Sequence, residues 1–152
     1  MIRMKKISST TYICKEYKGP LKDIPFDEYI DDLKKWAKKK KAKAYGKPLA
    51  FYYYDPKKNT RDDFRVDIGK PIKILKKAGG GYKLKFLPDM KIAARKFEGT
   101  PADHPEAFEE IYKYINEKGY RPVGYMMEKF KKVPKKENGE LKIKSELQMQ
   151  IE

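Results

Sequence analysis

The feature that most constrains this chain is that it repeats itself. "KEYKG" at 15–19 is answered by "RKFEG" at 95–99, and "FDEYIDDLKKWAKKKKAKAYG" at 26–46 by "AFEEIYKYINEKGYRPVG" at 107–124. "PLAFYYYDP" at 48–56 then faces "MMEKFKKVP" at 126–134. Two alternating runs close the series, "RVDIGKPI" at 65–72 and "SELQMQIE" at 145–152, each carrying one carboxylate, Asp67 or Glu146. The offset stays near 80 residues from Gly19 to Gly99, Gly46 to Gly124, Pro56 to Pro134 and Asp67 to Glu146. Four matches in one order argue for an internal duplication. A chain of 152 residues then fits a single domain of two pseudo-symmetric halves, about 9–77 and 82–152, linked by the glycine-rich 78–81.

Each half reads as strand, helix, strand, strand. In the first helix Phe26, Tyr29, Ile30, Leu33 and Ala37 recur at three- and four-residue spacing and make one apolar stripe. Its acids come first and its lysines last, which suits the helix dipole and gives the run at 38–41 a structural reason. In the second, Asp103 stands at an N-cap position with Pro105 in the first turn, and Phe108, Ile111, Tyr112 and Ile115 form the stripe. The single histidine, His104, falls in this capping segment and reads as a solvated residue. Strands are expected near 9–17, 47–54, 64–73, 82–87, 91–98, 124–131 and 141–151, with the Asn138-Gly139 turn before the last. The fold class is α+β: duplicated units form one curved antiparallel sheet, two helices cover one face, and a groove lies on the other.

Alternation then sorts the side chains by face. Leu141, Ile143, Leu147, Met149 and Ile151 point toward the helices, which leaves Glu146 and its counterpart Asp67 on the uncovered face. That face is too apolar to be simply wet. Phe51 and Tyr53 point one way and Tyr52 and Tyr54 the other; Tyr125 and Met127 oppose Met126, Glu128 and Phe130. The surplus of rings, methionines and acids suits a lipophilic, cationic aromatic small molecule, because ring faces attract cations and a poorly solvated carboxylate supplies the counter-charge. The expected ligand set is Glu146, Asp67, Glu128, Tyr52, Tyr54, Tyr125, Met126 and Phe130.

Charge and composition bound the alternatives. Lys and Arg number 37 against 22 Asp and Glu, which invites a nucleic-acid partner. Only five of the bases are arginine, however, and the lysines are interleaved with acids, so direct nucleic-acid binding is the weaker reading. One cysteine, Cys14, and one histidine exclude an internal disulfide, a cysteine-rich zinc site and a nucleophilic triad, and no metal or other cofactor is implied. No apolar run approaches the ~20 residues that cross a bilayer, and the basic N-terminus carries no signal-like stretch, so a cytoplasmic location is expected.

The second half, from "LPDMKIAARKFEG" through "KGYRPVGYMMEKF" to "ELKIKSELQMQIE", resembles the GyrI-like small-molecule-binding domain, the module that also serves as effector-binding domain of multidrug-sensing transcription regulators. "YYYDP" and "DDFRVDIGKPI" extend the resemblance to the first half. It implies a buried acid on a late strand with aromatic residues around the ligand, a role matched here to Glu146. It implies a stand-alone module for sequestration or sensing. It also leaves open a hydrolase of strained electrophiles with Glu146 as acid or base, or a protein that partners gyrase or a DNA-binding regulator.

Overall fold

The computed structural model describes residues 1–53, 64–73 and 79–152. The strands are β1 (Ile2–Ile7), β2 (Thr10–Gly19), β3 (Lys43–Ala44), β4 (Leu49–Tyr52), β5 (Phe64–Lys73), β6 (Tyr82–Leu87), β7 (Met90–Gly99), β8 (Pro122–Phe130), β9 (Lys135–Glu137) and β10 (Glu140–Ile151); the helices are α1 (Phe26–Lys39) and α2 (His104–Glu117). In α1 the buried residues are Phe26, Ile30, Leu33, Trp36 and Ala37, and in α2 they are His104, Ala107, Phe108, Ile111 and Ile115. Apart from His104, these pack with one face of the sheet in a single core cluster. The cluster on the other face contains no helix residue. The sheet is therefore covered on one side by both helices, as the alternation requires.

The strands pair antiparallel in the order β1-β7-β10-β8-β4-β5-β2-β6. On one side of the central β8–β4 pair the sequence is β8-β10-β7, and on the other β4-β5-β2, the same connectivity read outward in both directions. Each outer strand then comes from the wrong half: β1 lies on β7, and β6 on β2. Both exchanges belong to one device. β1 runs into β2 across Ser8 and Ser9, β6 into β7 across Pro88 and Asp89, and the two long arms pair in an unbroken register. Ile2 faces Arg95 and Ile7 faces Met90 on one side of the links, while Thr10 faces Leu87 and Lys15 faces Tyr82 on the other. The links are tied where they pass, since the Ser9 amide donates to Asp89 Oδ1 at 2.6 Å.

β1 adds a strand to those expected from sequence. Its "IRMKKI" hides the alternation of Ile2 and Met4 behind Arg3, Lys5 and Lys6. Asn138 and Gly139 both have positive φ, as the two-residue turn before β10 demands. Asp103 is exposed and its carboxylate turns back, accepting from the Thr100 amide at 2.9 Å instead of capping α2.

Candidate functional site

The expected ligand residues do not gather in one groove. The register sends them to both sides of the sheet. Tyr52, Met126, Glu128 and Phe130 lie on the helix face, while Asp67, Glu146 and Tyr125 lie on the uncovered one. Tyr54 falls outside the described residues. The reason is visible in β4, where Leu49, Ala50, Phe51 and Tyr52 are all buried: both faces are apolar there, so alternation separates the residues without saying which set the helices cover.

On the helix face, at the centre of the sheet, Glu128 is completely buried. Tyr52 donates its hydroxyl to Glu128 Oε1, Ser145 Oγ donates to Oε2 at 2.6 Å, and His104 Nε2 lies 3.0 Å from the same oxygen. Every member of this quartet is at most 2% exposed. Phe108 stacks on the imidazole at 5.4 Å and 11°, and Phe97 packs on it at 4.7 Å. His104 is thus the buried first residue of α2, in contrast to the solvated cap expected from its neighbours Asp103, Pro105 and Glu106. Burial works to raise the Glu128 pKa, but the His104 charge and the three hydrogen bonds outweigh it and hold the carboxyl below its ordinary value. Tyr52 is pushed well up, first by burial and then by the Glu128 charge, so its hydroxyl stays a donor.

The pseudo-symmetric counterparts of the quartet are all apolar. α1 begins at Phe26 as α2 begins at His104; Phe130 occupies in β8 the place of Tyr52 in β4, Ala50 that of Glu128, and Val66 that of Ser145. Phe26 meets Phe130 edge-on at 4.9 Å where His104 meets Tyr52 at 5.8 Å. One copy of this position is filled with hydrocarbon and its pseudo-symmetric mate with an acid, an imidazole and two hydroxyls.

Two of the expected acids lie on the uncovered face. Glu146 is partly buried, its side chain 14% exposed, and it is paired: Lys5 Nζ lies at 2.7 Å, Arg3 at 3.9 Å, and Gln148 donates at 2.8 Å. Burial raises its carboxyl, but Lys5 first, then Gln148 and Arg3, bring it below the usual range. This paired acid does not fit the buried role expected for it; Glu128, eighteen residues earlier on β8, does. Asp67 is wholly buried between Glu16 and Phe51 in register. Its Oδ2 accepts from Tyr53 at 2.5 Å and faces Lys83 at 2.7 Å, while Oδ1 has no hydrogen-bond partner. Tyr125, 51% exposed beside a bulge at Gly124, caps Tyr53 edge-on at 4.5 Å. Cys14 lies beneath this face, its thiol pushed up by burial to about 12, so it is inert.

Among the described residues no cluster of three or more His, Cys, Asp or Glu is placed to hold a metal. No described helix is long and apolar enough to cross a membrane.

The family profile of the GyrI-like small molecule binding domain matches residues 1–152. The chain belongs to the GyrI-like family. A DNA gyrase inhibitor of Pectobacterium carotovorum subsp. carotovorum (strain PC1) is 29% identical over 98 residues, 62% of this chain and 63% of that relative, so the match spans less than two thirds of its length. The EcmrR C-terminal domain superposes with a TM-score of 0.78 at 14% identity, covering all of this chain and 97% of the other. SAV2435 bound to tetraphenylphosphonium superposes at 0.56 and 12% identity, covering all of this chain and 94% of that one. At these identities the GyrI-like likeness in structure is one of fold.

Proposed function

We propose that this GyrI-like chain binds a lipophilic, cationic small molecule at Glu128, and acts by sequestering it or by reporting it to a gyrase or a DNA-binding regulator. The observation that carries the reading is the asymmetry: a polar quartet stands where the pseudo-symmetric positions pack Phe26, Phe130, Ala50 and Val66. Stability alone favours hydrocarbon at such a place, since well-packed apolar groups replace buried ion pairs at little or no cost. A retained acid walled by Phe97, Phe108, Phe130 and Met126 is the chemistry that selects an organic cation. His104 holds the place of that cation, and the start of α2 must shift for a ligand to reach the carboxylate. The tetraphenylphosphonium complex of SAV2435 is in keeping with this ligand class.

The test is calorimetric titration of tetraphenylphosphonium into wild type, Glu128→Gln and Glu146→Gln. Affinity should fall at least about tenfold in Glu128→Gln and persist in Glu146→Gln. The opposite pattern would move the site to the uncovered face, and absence of binding by wild type would remove the cationic reading.

A further inference from the structure

The uncovered face already holds a cation among aromatic rings, and it is the protein's own. Lys85 Nζ lies 4.4 Å from the centroid of Phe51, 4.5 Å from Tyr53 and 5.1 Å from Tyr125. It donates to the Tyr53 hydroxyl, which itself donates to Asp67. Two carboxylates serve this neighbourhood, and each has another partner: Lys83 sits on Asp67, and Arg65 on Glu16 at 3.0 Å. With Lys18 also 3.5 Å from Glu16, Lys85 is the fourth cation for two acids, with no carboxylate within ion-pair distance among the described residues. Ring faces and one phenol hold it. Beside it, Asp67 Oδ1 is a buried acceptor with no donor, in a protein interior where such atoms are rare.

We propose that this is a second cation seat, back to back with the Glu128 site and independent of it, whose resident Lys85 is displaceable by a compact organic ammonium. Three rings set around one point give the arrangement by which proteins recognise alkylated ammonium groups. The seat opens to solvent past Tyr125. Lys85 hangs there on a flexible four-carbon stem, so it can swing out and leave the rings and the phenol unchanged. Because the incoming ammonium replaces one already present, the local charge balance is unaltered. A free amine or quaternary ammonium there also lies in the field of the Asp67 carboxylate, one phenol away and unpartnered at Oδ1.

The probe is benzyltrimethylammonium, titrated against wild type, Lys85→Met and Asp67→Asn, with Glu128→Gln alongside. Lys85→Met keeps the apolar stem and removes the competing charge, so its affinity should exceed that of wild type by about tenfold or more. Asp67→Asn in the Lys85→Met background should abolish the gain, and Glu128→Gln should leave it intact. In wild type the ring-shifted ε-methylene resonances of Lys85 should move toward their solvent values as probe is added. Equal affinity in wild type and Lys85→Met overturns the proposal, as does a gain that survives Asp67→Asn or disappears with Glu128→Gln. A tetraphenylphosphonium site lost in Glu128→Gln would stand through each of those failures.

Discussion

Tyr52 and Tyr53 are neighbours in sequence, and their hydroxyls end on two different buried carboxylates on opposite sides of one sheet. Glu128 on the helix face has both oxygens satisfied, by Tyr52 on one and by Ser145 and His104 on the other. Asp67 has one oxygen engaged, by Tyr53 and by the long Lys83 that reaches in from solvent, and one free. The ingredients are the same, an acid, a tyrosine and a cation among rings. What differs is closure. A sealed network whose carboxylate is bonded through both oxygens is rigid and expensive to break, even with His104 Nδ1 left unpartnered, while one whose lysines reach solvent exchanges its members easily.

The sharpest break in that contrast is His104→Ala. It strips the sealed carboxylate of its imidazole partner and should cost about 3–5 kcal/mol in urea unfolding; a loss below about 1 kcal/mol would mean that water already reaches Glu128. Asp67→Asn, which leaves Lys83 without its buried partner, should cost less, about 1–3 kcal/mol by the same measurement. Equal losses at the two sites would dissolve the distinction between them.

The acid dependence of stability sharpens it from another side. Glu128 is held below its unfolded value of about 4.3, so its contribution is complete above that pH and is lost as pH falls through the lower folded value. Stability profiles of Glu128→Gln between pH 6 and pH 2 should therefore show a shallower acid limb than wild type. The limb should not vanish, because Glu16, Asp32, Asp103 and Glu146 are lowered too. An unchanged slope would refute the sealed pair. The smallest effect belongs to Tyr125→Leu, which removes one edge-on ring contact and should shift stability by about 0.5–1.5 kcal/mol. Thermal unfolding would read it, and a larger shift would make the open cluster part of the core.

The sequence carried the architecture well because a duplicated pattern states every element twice. It also separated Tyr52 from Tyr53 and Met126 from Met127, since the two-residue period needs no tertiary information. It could not say which of each pair the helices would cover, because β4 is apolar on both faces. Glu128 stands among the sequence candidates, but the buried-acid role is matched there to Glu146; the sequence offers no measure of burial to rank them, and only the surroundings show that Lys5 and Arg3 reach one and His104 seals the other. His104 itself sits between Asp103 and Pro105 in a polar stretch, and nothing local foretells that its ring turns under α2. The apolar counterparts Phe26, Ala50 and Val66 were the available signal, once the repeat was laid over itself position by position.

The long arms that tie Ser9 to Asp89 also bear on how fast this protein reaches its fold. Their ladder joins residues far apart in sequence, and neither half completes its sheet without a strand from the other. Such non-local pairing must bear the entropy of loop closure before it gains contact energy, which places folding in the milliseconds-to-seconds range typical of high contact order. A chain elongating in order would expose the edge of β2 until β6 arrives and that of β4 until β8, and β1 would wait for β7. The lysines at 5, 6, 83 and 85 on the two outermost strands keep those waiting edges charged, and charge there is what discourages them from pairing with another chain.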